Sequence, residues 1–338
     1  PVIECALNSY HGGKNNLAVE PGWYQGVNSL DISSAYPDAM SQFPSFYNAR
    51  LYKKFSARGD VSEVPPLGVY KVSGYARYCR WPVVFAHDFS PIQVENFVGV
   101  CVCGYELNEA IRSGEVTTKS VDGWFYDGER DTNSPPLKRY VAEFYARKEA
   151  EQDKAKRAMY KFLLNAISGK FIQTRKKDKV MTVEVDTGSV SDSSDLTAGG
   201  MFHPFIASLI TGHTRAKIHQ LEHKYDAMHT ATDGIFTQNT PRERGPKGLG
   251  AIVHEAGGDL LLLRNKLYIL YGEGPHEKHS PSAVFEGRHI VKAALHGFAG
   301  TVADLERLAT SGVRTYKATK ANRLRTSVKR GLVPNDFT

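Results

Sequence analysis

The fold is decided by the stretch Asp31-Ile32-Ser33-Ser34-Ala35-Tyr36-Pro37, together with Thr232-Asp233-Gly234 far downstream. Residues 27–32 form a mostly apolar run that predicts a buried strand, and Pro37 prevents a regular continuation of that strand. Asp31 is therefore expected where a strand gives way to a turn. Its carboxylate would be presented at the strand end instead of being buried in mid-strand.

Asp233 has the complementary context. Asp-Gly is the strongest short hairpin signal, and residues 228–231 and 235–237 supply a strand on each side of it. Two carboxylates held by separate strands at one sheet end can coordinate a pair of divalent cations about 3.5–4 Å apart. Taken singly, each pattern is most often structural, so neither is persuasive alone.

Three ordered stretches resemble the polymerase motifs of family B DNA polymerases. Asp31-x-x-Ser34-Ala35-Tyr36-Pro37 resembles motif A, which usually reads Asp-x-x-Ser-Leu-Tyr-Pro, so that only Ala35 departs. Residues 160–171 are similar to motif B, Lys-x-x-x-Asn-Ser-x-Tyr-Gly. Residues 229–234 resemble motif C, Tyr-x-Asp-Thr-Asp-Ser.

Two shorter motifs extend the resemblance over nearly the whole chain. Residues 264–268 match the Lys-x-Tyr motif, and Tyr10-His11-Gly12-Gly13 matches the Tyr-x-Gly-Gly motif that joins exonuclease and polymerase domains. Residues 211–217, which include Arg215, match the helix before motif C. The segment lengths are most similar to those of the protein-primed members found in phages, linear plasmids and adenoviruses.

The resemblance implies an α+β fold, a right-hand polymerase with an antiparallel palm sheet, helical fingers, a small thumb and two insertions. The implied boundaries are palm 1–44, an insertion resembling the first terminal-protein region 45–134, fingers 135–172, an insertion resembling the second terminal-protein region 173–202, palm 203–298 and thumb 299–338. Within the second palm part we expect one strand at 251–254 and a second at 259–271.

The resemblance also assigns site residues. The metal site would consist of Asp31, Ile32 and Asp233, with the two aspartates as catalytic residues, and it would hold two Mg²⁺ ions, with Mn²⁺ as a substitute. The nucleotide would contact Ser34, Ala35, Tyr36, Lys148 or else Arg147, Lys161, Asn165 and Ser168. Primer and template would contact Tyr10, Gly12, Gly13, Thr232, Lys266 and Tyr268. Lys161, Asn165 and Ser168 fall on one helical face, whereas Phe162, Leu163 and Ile167 can pack elsewhere.

The implied reaction is attack of a primer 3′-hydroxyl on the α-phosphorus of a deoxynucleoside triphosphate, with pyrophosphate leaving. Three residues depart from the family pattern. Ala231 replaces the first motif C carboxylate, Gly234 replaces its Ser, and Ser168 replaces the motif B Tyr. We expect weaker metal binding from the first change and lower fidelity or altered sugar selection from the last.

Composition is consistent with a polyanionic partner. The formal net charge is +7, and basic residues concentrate at 138–179 and at 314–330. Two such runs are read as phosphate-contacting surfaces, although a solvated helix face explains one of them equally well. The four cysteines, Cys5, Cys79, Cys101 and Cys103, fit no zinc spacing, which favours a reduced, cytoplasmic chain, in a bacterial host if the source is a phage or mobile element.

Other expectations follow. No run of 18 or more apolar residues exists, so a membrane role is not expected, and the chain is expected to be a monomer. The partners would be primer–template DNA, deoxynucleoside triphosphates (dNTPs) and a terminal or priming protein. No Asp-x-Glu proofreading motif precedes Tyr10. Two alternatives remain: a polymerase-derived module that binds DNA or a priming protein without chemistry, and a reverse transcriptase or RNA polymerase of similar palm architecture.

Overall fold

The computed structural model describes residues 2–86, 90–176, 181–183, 190–192, 196–239, 248–272, 284–285, 288–298 and 301–311. Three predicted features lie partly or wholly outside the described residues: parts of the insertion at 173–202, most of the thumb at 299–338, and the whole basic run at 314–330.

The elements follow one another in chain order. The helices are α1 (Val2–Ser9), α2 (Ala35–Ser41), α3 (Gly104–Arg112), α4 (Pro136–Ala150), α5 (Lys154–Lys170), α6 (Pro204–Tyr225) and α7 (Val302–Ser311). The strands are β1 (Gly22–Ile32), β2 (Tyr52–Arg58), β3 (Gly68–Ala76), β4 (Glu95–Cys103), β5 (Val116–Tyr126), β6 (Thr174–Lys176), β7 (Met181–Val183), β8 (Val190–Asp192), β9 (Leu196–Ala198), β10 (His229–Ala231), β11 (Gly234–Thr237), β12 (Ile252–Arg264), β13 (Leu267–Gly272), β14 (Val284–Phe285) and β15 (Arg288–Leu295).

The largest sheet of the described residues is antiparallel and runs in the order β10-β11-β1-β12-β13-β15-β14. Strand β1 lies inside it, hydrogen-bonded to β11 on one side and to β12 on the other. Leu30 and Ile32 of β1 are buried beneath α6, and Ala35 begins α2 against the same cluster. The predicted strand at 27–32 and the predicted Asp-Gly hairpin are both confirmed.

A second sheet, in the order β2-β5-β3-β4, occupies the segment between α2 and α4. Helix α3 follows β4 directly and packs on α6. Cys101 and Cys103 point to the core that contains α6, whereas Val102 points to a separate core within this segment. The alternation confirms that the two thiols face one side of a strand.

Helices α4 and α5 pack against each other, and the Tyr140 hydroxyl of α4 donates a hydrogen bond to the Leu163 carbonyl of α5 at 2.9 Å. The connection between them is only three residues long, 151–153, because most of the charged stretch at 147–157 is helical. The Asp153 side chain caps α5 by accepting from the Lys156 amide. The prediction that Phe162 can pack was wrong: it is 68% exposed, since it lies on the outer face of α5.

Helix α6 is buried along most of its length. His203 caps it at the N-terminus by accepting from the Ile206 amide. Its apolar residues Ile206, Leu209, Ile210, Ile218 and Leu221 are buried, and so is Arg215, which is 0% exposed. Its guanidinium donates to both carboxylate oxygens of Glu106 on α3 at 2.7 Å, to the Gly12 carbonyl at 2.8 Å and to the His11 carbonyl.

The single strand expected at 259–271 was wrong. The chain reverses at Asn265-Lys266, so that residues 252–264 and 267–272 form two antiparallel strands, β12 and β13. Lys266 adopts φ +57, a left-handed conformation that ends a strand. The residues on both sides of the turn are mostly apolar, because both strands of the hairpin are buried on the same face. Hydrophobic periodicity therefore did not reveal the turn.

The predicted α+β class with an antiparallel sheet is confirmed. Among the residues described, no helix combines the length and apolar character needed to cross a bilayer.

We predict that Arg215→Met destabilises the protein by ~3–5 kcal/mol, because it leaves the Glu106 carboxylate buried without its cation. Arg58→Met is the matched control: its ion pair with Asp122 is exposed, and such pairs contribute about 0–1 kcal/mol. Denaturant unfolding of both variants measures the difference. Equal destabilisation would contradict the role given to Arg215.

Candidate active site

Asp31 and Asp233 lie next to each other within the large sheet. Asp31 is the penultimate residue of β1 and pairs in register with Gly234, the residue after Asp233. The Ile32 amide donates a hydrogen bond to the Asp233 carbonyl at 2.9 Å. Adjacent strands therefore hold both carboxylates at one end of the sheet.

Gly234 leaves room for the Asp31 side chain. A Cβ at this position would lie 2.9 Å from the Leu30 carbonyl oxygen and 3.1 Å from Asp31 Oδ1. Both distances are tighter than ordinary contact, so a serine at 234 would require the Asp31 carboxylate to move. The departure from the usual motif C residue is thus coupled to the position of Asp31.

The turn that presents Asp233 is strained and tightly held. Thr232 is β-branched yet adopts φ +69, an uncommon conformation that persists only where surrounding contacts enforce it. Its amide donates to the Lys14 carbonyl at 2.8 Å, and its hydroxyl accepts from Lys266 Nζ at 3.0 Å. A Cβ on Gly13 would lie 2.4 Å from Thr232 Cγ2. Gly13, Thr232 and Lys266, predicted separately as primer or template residues, form one cluster.

The positive charges near the two carboxylates do not offset the effects of burial and of neighbouring negative charge. Burial, followed by repulsion from Asp233 and Glu255, raises the pKa of Asp31 to about 7. Burial also raises the pKa of Asp233, against the opposing charges of Lys292 and Lys161. Oxygen ligands held close to one another and short of positive charge suit a hard divalent cation such as Mg²⁺. The donor set therefore fits the predicted metal.

Sequence reasoning missed an ion pair beside the aspartates. Lys292 Nζ on β15 lies 2.6 Å from Glu255 Oε2 on β12 and donates to Ser29 Oγ at 3.0 Å. Burial favours the neutral amine of Lys292, but Glu255 and other acidic neighbours outweigh this effect and raise the pKa of Lys292. Glu255 lies at an irregularity in the β1–β12 register. Lys292 interrupts the apolar run at 290–295, but β12 also carries Asp259 and Arg264, so the sequence had no signal that singled out Glu255.

Helix α4 brings one of its two candidate cations to motif A. Lys148 is 8% exposed, and its ammonium lies 3.4 Å from Ser34 Oγ and 3.0 Å from Glu149 Oε1. Arg147 is exposed and forms an ion pair with Glu143 at 2.6 Å on the same helix. Of the two residues, Lys148 is therefore the one whose ammonium lies beside motif A, whereas the contact of either residue with a nucleotide stays a prediction.

Helix α5 presents its polar face as expected. Lys161 is exposed, and its charge opposes the rise in the pKa of both aspartates. Asn165 lies one turn further on, and its backbone carbonyl accepts from Ser168 Oγ at 2.7 Å. The Ser168 hydroxyl is thus directed at its own helix.

The motif A turn begins with Ser34, which adopts φ +54 before α2 starts at Ala35. Tyr36 is partly buried; burial raises its hydroxyl pKa, the Arg215 charge opposes this, and Asp233 and Tyr10 add to the rise. Tyr36 therefore lies between the aspartates and the segment that carries Tyr10 and Gly12.

Tyr268, which was predicted to contact primer or template, is almost fully buried. It is 4% exposed, with its ring 4.7 Å from Phe236 and 5.7 Å from His229 between ring centroids. Burial raises the pKa of its hydroxyl, and the charges of Glu255 and Asp31 add to the rise against that of Lys292. The hydroxyl edge, not the ring face, is therefore the part that faces the aspartates.

Comparison with known proteins gives one family and one fold. The family model described as DNA polymerase type B, organellar and viral, matches residues 7–200. No curated protein sequence matches the chain. The structure of phi29 DNA polymerase complexed with single-stranded DNA is similar at a TM-score of 0.62 and 16% identity, covering 80% of this chain and 49% of that chain.

Two further phi29 structures agree. The ternary complex with primer–template DNA and incoming nucleotide substrates gives a TM-score of 0.57 at 17% identity over 79% of this chain and 50% of that one. The orthorhombic crystal form gives 0.58 at 15% identity over 99% and 57%. The chain thus spans about half the length of the phi29 polymerase chains it matches, and these identities establish the fold alone.

We predict that, in buffer without divalent cations, Asp31 contributes a loss of stability as pH rises from about 4 to about 7. The Asp31 carboxyl holds its proton up to a pKa of about 7 when folded, against 3.8 ordinarily, so the unfolded state gains by ionising across this window. Relative to the unmodified protein, Asp31→Asn should therefore gain stability progressively across this window and have the higher melting temperature at pH 7.

Asp122→Asn is the control, because a hydrogen bond from Ser56 lowers the pKa of that exposed carboxyl and gives the opposite sign. Thermal melts across the pH range provide the measurement. An Asp31→Asn profile parallel to that of the unmodified protein would contradict the assigned burial.

Proposed function

Because the chain belongs to the type B DNA polymerases of the organellar and viral kind, we propose that it carries out template-directed DNA synthesis by nucleotidyl transfer. The observation that carries the proposal is the meeting of Asp31 and Asp233 on adjacent strands, with a pKa of about 7 for the first. The resemblance to family B that the motifs gave is confirmed by the family model.

Asp31, Asp233 and the backbone at Ile32 would hold two Mg²⁺ ions. When bound, the ions would lower the pKa of the primer 3′-hydroxyl and neutralise phosphate charge. Glu255 would add a third carboxylate near the pair, in the absence of the acidic residue that Ala231 replaces. Lys292 holds Glu255 in place and offsets part of the negative charge around the aspartates.

The chain's own side chains would position the nucleotide between α4, α5 and motif A. Lys161 and Lys148 would meet the triphosphate, and Asn165 would hydrogen-bond without adding charge. Tyr36 would lie beneath the incoming sugar and exclude a 2′-hydroxyl. Phosphoryl transfer depends on such positioning and charge more than on a protein nucleophile.

The strained turn and its neighbours would position the nucleic acid. Lys266 would contact a primer phosphate, and through its hydrogen bond to Thr232 that contact is linked to the position of Asp233. Tyr10 would stack on a template base, a contact that contributes about 1–3 kcal/mol in single-strand binding sites. The Arg215 bonds to the His11 and Gly12 carbonyls would fix this segment.

The proposed biological setting follows from the family description and from the sequence resemblance. Replication of a phage or mobile element, with a terminal protein as primer, would fit the viral family description and the sequence resemblance. The division into palm, fingers, thumb and two insertions stays a prediction, with the segment at 45–134 as the surface for the priming protein.

We predict that Asp31→Asn and Asp233→Asn each lower Mg²⁺-dependent primer extension by about 10²-fold or more, because each removes a charge that the reacting phosphates require to be balanced. Asp122→Asn, at an exposed side chain of the second sheet, should retain full activity. Extension of a labelled primer measures the rates, and fluorescence anisotropy measures DNA binding in parallel.

If both variants extend the primer as fast as the unmodified protein, the proposal is wrong. If the unmodified protein binds primer–template but extends it with neither Mg²⁺ nor Mn²⁺, the chain is a DNA-binding module. The same assay without DNA primer shows whether synthesis needs an existing 3′ end, and ribonucleotide and RNA-template competition tests the RNA polymerase and reverse transcriptase readings.

Two neighbouring residues allow a sharper test of the nucleotide site. We predict that Lys148→Ala raises the KM for dNTPs by about 10-fold, since one charge contact to phosphate is worth about 1.4 kcal/mol or more. Arg147→Ala should change it less than about 2-fold, because its exposed pair with Glu143 contributes little. Equal effects in single-nucleotide kinetics would remove Lys148 from the site.

A further inference from the structure

A cluster of metal-ligand side chains lies away from the aspartates, where the second sheet meets α6. Cys79 follows β3, and His219 and His223 lie one turn apart near the end of α6. His219 Nε2 is 3.1 Å from His223 Nε2, and Cys79 Sγ is 4.0 Å and 3.9 Å from these two atoms. Glu115 Oε2, which is fully buried, lies 3.8 Å from His219 Nε2.

These separations are close to those of a tetrahedral zinc site. With Zn–N bonds of about 2.0–2.1 Å and a Zn–S bond of about 2.3 Å, ligand nitrogens lie ~3.3 Å apart and nitrogen and sulfur ~3.6 Å apart. The observed distances differ from these by a few tenths of an ångström, which small side-chain rotations supply.

The protonation pattern suits a metal as well. His219 Nδ1 is 3.2 Å from Glu109 Oε1, so it carries the proton there and leaves the Nε2 lone pair facing the cluster. Such a carboxylate partner orients histidine ligands at many metal sites. Burial lowers the pKa of His219 to about 4 and also lowers that of His223, so both rings are neutral at pH 7.

The loop that carries Cys79 is held in position before any metal binds. Gln93 Nε2 donates to the Cys79 carbonyl at 2.5 Å, and Lys14 Nζ donates to the Trp81 carbonyl at 3.0 Å. The Trp81 indole donates to the Ala227 carbonyl at 2.9 Å and packs on the His223 ring at 4.9 Å. Cys79 and His219 are buried, whereas His223 is exposed and gives a path for a cation to enter.

We propose that Cys79, His219 and His223 form a zinc site that joins the second sheet to the helix before motif C, with the fourth position left to water. The Glu115 carboxylate lies nearby but is held by the Val83 and Val84 amides and is not a ligand. Without metal, the thiol proton and a His223 Nε2 proton occupy the space between the ligands. Zn²⁺ replaces them: the thiol proton is released to solvent, and the His223 proton moves to Nδ1 by tautomer exchange. The cysteine spacing gave no zinc pattern because the ligands come from parts of the chain 140 residues apart.

The test uses the whole chain, reduced and stripped with a chelator. Zn²⁺ alone is titrated against a chromophoric competitor, and Co²⁺ is added separately to detect a thiolate-to-metal charge-transfer band. We expect one tight Zn²⁺ per chain, a raised melting temperature and a Co²⁺ band. His223→Ala and Cys79→Ser should each weaken Zn²⁺ binding by about 10²-fold or more and abolish the band, and Glu109→Gln should weaken it by about 10–100-fold.

Two controls separate this site from others. His296→Ala, an exposed histidine outside the cluster, should bind Zn²⁺ as the unmodified protein does, and so should Asp233→Asn, which excludes the candidate active site. His223 is exposed, so its loss leaves the core intact. The proposal is overturned if the unmodified chain binds Zn²⁺ no more tightly than His223→Ala and Cys79→Ser. Polymerase activity does not enter the readout, so this result is independent of the proposed function.

Discussion

The buried guanidinium of Arg215 is the interaction on which the rest of the structure depends. A charge with no access to water is stable only where it is paired and hydrogen-bonded, and Arg215 meets this condition through four hydrogen bonds, to Glu106 and to two backbone carbonyls. These partners belong to α3, which follows the second sheet's strand β4, and to the N-terminal segment. One side chain on α6 thereby fixes two other parts of the chain against the helix that leads into motif C.

A second buried pair acts on the same frame. Lys14 lies 0% exposed against Glu222 of α6, and Thr230 of β10 donates to the same carboxylate at 2.5 Å. The segment at 14–17 also bridges to the turn at Thr232 and to His229. The left-handed backbone of Thr232 is strained, and Asp233 lies close to the like charge of Asp31. Both features are unfavourable, and these contacts offset them.

The departures from the family pattern have unequal structural consequences. The glycine at 234 leaves space for the Asp31 side chain. Ala231 carries no carboxylate, but the Glu255 carboxylate lies near Asp31 and supplies a negative charge of the same kind. The Ser168 hydroxyl bonds to its own helix, so it does not replace the contacts of the aromatic ring that the family pattern has at this position. The face of α5 that carries Ser168 is therefore where this chain differs most from the family pattern.

The sequence by itself determined the strand and turn around each aspartate, the capped helix α6 and the family, because these depend on short periodicities and local turn chemistry. Only the tertiary structure decided that Lys148 and not Arg147 reaches Ser34, that Lys266 ends a strand, and that Glu255 and Lys292 lie beside the aspartates. It also brought Cys79 to His219 and His223. The physical reason is common to these cases. Strand register, bulges and the packing of distant segments determine which side chains lie close together, and no local sequence pattern encodes contacts between residues far apart in the chain.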